Sequence, residues 1–217
     1  MTRQKIAVLA SGGLDSSILI SHLSETYTVH PIYISCGLIW ENQEKKCLNS
    51  FLKSINSPHI KPTTLLNLPM RKIYKDHWSI TSKGIPDRTT PDESVYLEGR
   101  NLALITIASI WCSSNNISTI TIGTLKENPF PDASKSFFKK IELSISIALS
   151  KKILIQAPFS TMNKTELLQE FQHLPLHLTM TCLSPKKNVH CGQCNKCNER
   201  ILAFKVASLQ DKTIYQN

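Results

Sequence analysis

The stretch that decides the fold is Lys5-Ile6-Ala7-Val8-Leu9-Ala10-Ser11-Gly12-Gly13-Leu14-Asp15-Ser16-Ser17. Its first half is a short apolar run of the kind that forms a buried strand. Two glycines then break the run. Beyond them Leu14, Ile18, Leu19 and Leu23 recur at helical spacing, which predicts a helix over 15–23. A strand, a glycine turn and a helix in that order place a helix N-terminus at the carboxyl end of a strand. Backbone N–H groups there attract anions, and open α/β sheets bind ligands at that end. Ser11, Ser16 and Ser17 add hydroxyl donors. The string is neither G-x-x-x-x-G-K-[ST] nor G-x-G-x-x-G. The plain alternative is a strand–helix turn capped by a serine or by Asp15.

Working outward, the pattern alternates. Strands are expected over 29–34, 60–66, 118–122 and 153–156. Helices are expected over 41–55, 101–115, 136–149 and 164–172. Such alternation points to an α/β fold with a parallel sheet. The segment 70–95 carries His77, Trp78, Gly84, Pro86 and Pro91 without periodicity, and reads as a long functional loop. From 175 onward Cys, Pro, Lys and Asn dominate, closed by a helix near 195–207. Two segments follow from this: an α/β domain over 1–174 and a metal-binding segment over 175–217 packed on it.

Composition narrows the class. The chain has 217 residues, 41% hydrophobic and 19% charged, which fits one globular domain with a small appendage and excludes a disordered chain. Gly and Pro are too few for collagen-like or low-complexity sequence. The longest apolar stretch, 102–112, is far short of the ~20 residues that span a bilayer, so no membrane association is expected. Residues 1–10 hold no apolar region suited to a signal peptide, and a cytoplasmic location is expected. The net charge of +9 suits anionic partners such as nucleotides, tRNA or pyrophosphate.

Seven cysteines are present, and four cluster as Cys182 with Cys191-x2-Cys194-x2-Cys197. In a cytoplasmic chain this favours metal over disulfides. Four thiolates make a closed tetrahedral Zn²⁺ site, with Gly192 allowing the tight turn. Short Cys-x2-Cys-x2-Cys runs also hold iron–sulfur clusters. His190 reads as a solvent-facing loop residue, and Cys36, Cys47 and Cys112 as small core residues.

The Ser-Gly-Gly-x-Asp-Ser string resembles the PP-loop of the N-type ATP pyrophosphatases. With both ends considered, nearly the whole chain resembles the 7-cyano-7-deazaguanine synthase family of queuosine and deazapurine biosynthesis. Residues 11–17, Gly99-Arg100-Asn101, Asn128-Pro129-Phe130-Pro131-Asp132, Met162-Asn163-Lys164-Thr165-Glu166 and the cysteine knuckle followed by Arg200 carry the likeness. It implies a Rossmann-like adenine nucleotide alpha hydrolase fold with a parallel sheet and a C-terminal zinc-binding knuckle. It implies a carbon–nitrogen ligase that activates 7-carboxy-7-deazaguanine with ATP. Ammonia displaces AMP to give an amide, and a second activation yields the nitrile. By the same likeness Ala10, Ser11, Gly12, Gly13, Leu14, Asp15, Ser16, Ser17 and Lys164 would bind ATP. Asp15 would help hold Mg²⁺ and Lys164 would offset phosphate charge, the two forming the catalytic pair. Arg100, Asn101 and Asp132 would meet the substrate. Zn²⁺ on Cys182, Cys191, Cys194 and Cys197 would hold a lid. A homodimer without bound nucleic acid is expected.

The chain departs from the family pattern at Ser35-Cys36-Gly37-Leu38-Ile39-Trp40-Glu41, at Leu97-Glu98 and at Ala133-Ser134. Glu98 reads as a surface carboxylate. The departures leave room for a relative that transfers the activated acid to another amine, giving an amide or a protein conjugate. A tRNA-thiolating PP-loop enzyme and a zinc-knuckle RNA-binding module are the more distant alternatives.

Overall fold

The computed structural model describes residues 3–187 and 189–216. Met1, Thr2, Asn188 and Asn217, which fall within the two expected segments, lie outside the described residues. Five strands form one parallel sheet: β1 (Lys5–Leu9), β2 (Thr28–Ser35), β3 (Thr64–Asn67), β4 (Thr119–Thr121) and β5 (Leu154–Gln156), in spatial order β3-β2-β1-β4-β5. The order reverses between β1 and β4, and the ligand crevice of an open α/β sheet opens at such a reversal.

Alternate residues of β1 serve two cores. Ile6 and Val8 pack with α1 (Leu14–Ser24), α2 (Glu41–Ile55), α7 (Lys164–Glu170) and α8 (Asn195–Val206) on one face. Ala7 and Leu9 pack with α5 (Arg100–Ser114) and α6 (Lys135–Leu149) on the other. Strands buried on both faces read as continuous apolar runs, which is what 6–10 is, while 29–34 is apolar apart from His30.

Two sequence expectations are corrected. The third strand begins at Thr64 rather than at 60: Ile60 makes only an isolated bridge to Val29, and Pro62, which has no N–H to give, interrupts the ladder before β3. The segment 70–95 is not an unbroken loop. It holds α3 (Arg71–Tyr74), α4 (Trp78–Thr81) and a 3-10 turn at Asp92–Val95. Helices of one turn are too short to show periodicity and depend on packing, here a stack of Trp78 on Trp40 with ring centres 5.6 Å apart. Among the described residues no helix is long and apolar enough to cross a membrane.

Candidate active site and metal knuckle

The loop after β1 is closed by its own serines. Ser11 N donates to Ser16 Oγ at 3.2 Å, Gly13 N donates to Ser11 Oγ at 3.3 Å, and the two hydroxyls lie 3.0 Å apart. Gly12 has φ +72°, and a Cβ there would sit 2.4 Å from the carbonyl oxygen of Glu44. Only glycine lets the loop turn against α2 this closely. No side chain caps α1 at Gly13, so its first-turn N–H groups stay available for an anion. Gly123, just past β4, packs on the same loop: a Cβ there would lie 3.0 Å from the Asp15 carbonyl carbon.

Asp15 and Lys164 meet at this point. Lys164 is the first residue of α7, which starts with a capping box between Asn163 and Glu166. From there its Nζ reaches both Asp15 oxygens, at 2.7 and 2.8 Å, and Glu199 at 3.2 Å. Lys196 also bonds Glu199. Burial would favour a neutral Lys164, but the carboxylates of Asp15 and Glu199 outweigh it and raise its pKa. The same lysines hold Glu199 down to about 2 against its own desolvation.

One cavity of about 280 Å³ unites the pieces. Ala10, Ser11, Gly13, Leu14, Asp15 and Ser16 line it with Lys164, Arg100, Asn101, Glu44, Trp40 and Trp78. Gly12 is not in this lining and acts through backbone packing. Ser17 is fully buried, with its hydroxyl lacking a partner. Arg100 opens α5, and its Nε has no hydrogen-bond partner among the described residues. Desolvation opposes its charge, while Glu44 sustains it. Asn101 faces the cavity as well, but its N and Nδ2 both donate to Asp132, at 2.9 and 3.2 Å. Asp132 is 6% exposed and off the cavity lining. Each of its oxygens accepts from Asn101, which tethers the start of α5.

The four cysteines come together. The Sγ atoms of Cys182, Cys191, Cys194 and Cys197 lie within 4.8 Å of one another. Main-chain N–H groups point at the sulfurs: Cys191 N to Cys182 Sγ at 3.2 Å and Cys194 N to Cys191 Sγ at 3.4 Å. Such donors stabilise thiolates, and four sulfurs without a carboxylate suit Zn²⁺. His190 corrects the expectation of a solvent-facing residue. It is 3% exposed, its Nε2 accepts from Thr181 N at 3.1 Å, and burial lowers its pKa to about 4. Cys36 and Cys112 are buried as expected, while Cys47 is only half-buried. Glu98 is exposed.

Glu44, Glu199 and Lys196 are not residues that the sequence singles out. A signal for Glu44 was present: Glu41 and Glu44 share the buried stripe of α2 with Leu48 and Phe51. A carboxylate on the apolar stripe of an amphipathic helix is an anomaly that points to a site. Arg200, which follows the knuckle, has a structural place. It is 1% exposed, bonds Thr179 and Leu176, and pairs with Asp211, so it anchors the tail.

The family model described as queuosine biosynthesis protein QueC matches residues 5–208. A 7-cyano-7-deazaguanine synthase of Methanobrevibacter smithii is 30% identical, covering 99% of this chain and 99% of the relative. The 7-cyano-7-deazaguanine synthase 1 of Desulfitobacterium hafniense is 28% identical, covering 95% and 94%. A 7-cyano-7-deazaguanine synthase of Campylobacter jejuni is 25% identical, covering 99% of each.

Proposed function

The chain belongs to the QueC family of queuosine biosynthesis proteins, and we propose that it converts 7-carboxy-7-deazaguanine and ammonia to 7-cyano-7-deazaguanine with ATP. The observation that carries the reading is one cavity lined by both a helix start with Asp15 and Lys164 and a half-buried arginine, Arg100. The first pair suits a triphosphate and the second a carboxylate.

A carboxylate at neutral pH is a poor electrophile, so its oxygen must first be made a leaving group. The free N–H groups of α1 and the Lys164 ammonium would stabilise negative charge on the departing pyrophosphate. Arg100 would hold the substrate carboxylate in line for attack on the α-phosphorus. Asp15 is a partly exposed carboxylate on the cavity wall and, with Glu199 near Lys164, would be the residue to hold Mg²⁺. Bound Mg²⁺ would supply charge neutralisation on the phosphates. Zn²⁺ on the four cysteines would have no open position and would hold the segment around Met180–Leu183 against the cavity. The fold places that segment in the lining directly.

The test is to incubate the purified protein with ATP, Mg²⁺, ammonium and 7-carboxy-7-deazaguanine and to read products by mass spectrometry. A nitrile supports the reading. An amide that goes no further narrows it to transfer of the activated acid to an amine. No release of AMP overturns it.

A further inference from the structure

Glu44 is an ionisable group in the wall of the cavity, yet it is only 7% exposed. Tyr33 Oη donates to its Oε2 at 2.7 Å, and Trp40 supplies a second side-chain hydrogen bond. Its main-chain carbonyl abuts Gly12, so the phosphate loop and this carboxylate share one rigid frame. Arg100 faces it from α5 as its foremost charge partner, but the two do not close into a salt bridge. Arg100 Nε is left without a partner. Arg100 and Glu44 line the same cavity, so a carboxylate drawn to Arg100 enters the space that Glu44 borders.

We propose that Glu44 is the base that takes the proton of the nitrogen nucleophile. The nitrogen lone pair forms the C–N bond to the activated carboxyl carbon. The C–O bond to the adenylate phosphate breaks, and AMP leaves with that electron pair. A proton on nitrogen passes to a Glu44 oxygen and later returns to water. The proposal rests on the ATP-dependent nitrogen transfer argued above and names the residue that completes it.

The electrostatics agree with that task. Burial pushes the Glu44 carboxyl up to about 7, Arg100, Tyr33 and Trp40 pull against the rise, and Glu41 adds to it. Cys36 and Cys47 also lie in its field, and burial holds both as neutral thiols. A base that titrates near the working pH is the efficient kind.

The experiment follows two rates across pH in wild type, Glu44→Gln and Tyr33→Phe: pyrophosphate exchange into ATP driven by 7-carboxy-7-deazaguanine alone, and ammonium-dependent amide formation. Glu44→Gln is expected to lose amide formation by about a hundredfold or more beyond any loss of exchange. Tyr33→Phe keeps the base but removes a donor that holds its pKa down, so the acidic limb of amide formation moves to higher pH. An unchanged ratio of the two rates in Glu44→Gln, or an unmoved limb in Tyr33→Phe, overturns the proposal and leaves the nitrogen-transfer reading standing. If Glu44→Gln does not fold, the limb in Tyr33→Phe decides. No exchange in the wild type overturns both.

Discussion

Lys164 grips both carboxylate oxygens of Asp15 across 149 residues of chain, at 2.7 and 2.8 Å. The pair ties the start of α7 to the start of α1 at the mouth of the phosphate loop. Lys164→Ala leaves Asp15 without its cation and Glu199 with Lys196 alone. It is expected to cut ATP-dependent turnover by about 10²–10³. The fold should persist, because the capping box that starts α7 does not use the Lys164 side chain. Steady-state kinetics with circular dichroism checks both halves. Turnover within a few fold of wild type would show that the pair is structural.

Gly12→Ala is expected to cost about 2 kcal/mol of stability and most ATP binding. The new methyl would meet the Glu44 carbonyl, which is backbone and cannot swing away, and φ at this site is +72°. Thermal denaturation with and without ATP measures each part. A variant that melts like wild type would mean that the loop and α2 are free to separate.

Cys197→Ser, or prolonged chelation, is expected to release one zinc per chain and to lower the melting temperature by several degrees. Limited proteolysis should then open sites in 180–198 before any in β1 or α1. Elemental analysis gives the metal content. Iron with visible absorbance in place of zinc would redirect the reading toward the tRNA-thiolating alternative.

Stability should carry the mark of Glu44. Its carboxyl titrates near 7 in the folded chain against 4.5 when exposed, so the folded state holds the extra proton between those values. The contribution is complete below about pH 4.5 and is lost as pH rises through about 7. Melting curves of wild type and Glu44→Gln across that window should show the variant gaining on wild type as pH rises. A constant gap would mean that Glu44 is already ionised in the fold.

The scaffold was readable because its determinants are local. Apolar runs such as 5–10 sit between turns, and the helix at 41–55 shows its stripe over four turns. The glycine turn between β1 and α1 was readable for the same reason: glycines, serines and Asp15 are neighbours in sequence. What stayed hidden was set by packing. Nothing near Asp132 reveals that Asn101 takes both of its oxygens, and nothing beside Cys191 reveals that His190 turns inward to accept from Thr181. Glu44 was hidden differently. Its stripe was visible, but a first-turn glutamate has an ordinary reason to exist at a helix N-terminus.

The strand-end loops form the floor of the cavity, while Trp78, Val95 and Leu97 and the stretch Met180–Leu183 form its roof. Those two roof segments are laced together. Arg88 donates to Gly192 and Gln193, and Asn195 donates to Thr90 and Pro86. The roof meets the floor where Met180 N donates to the Gly12 carbonyl at 2.8 Å. Two of the three departures from the family pattern border or enter the cavity lining, at Trp40 and at Leu97. Substitutions at those two positions change the wall of the cavity while the glycine loop after β1 stays as it is.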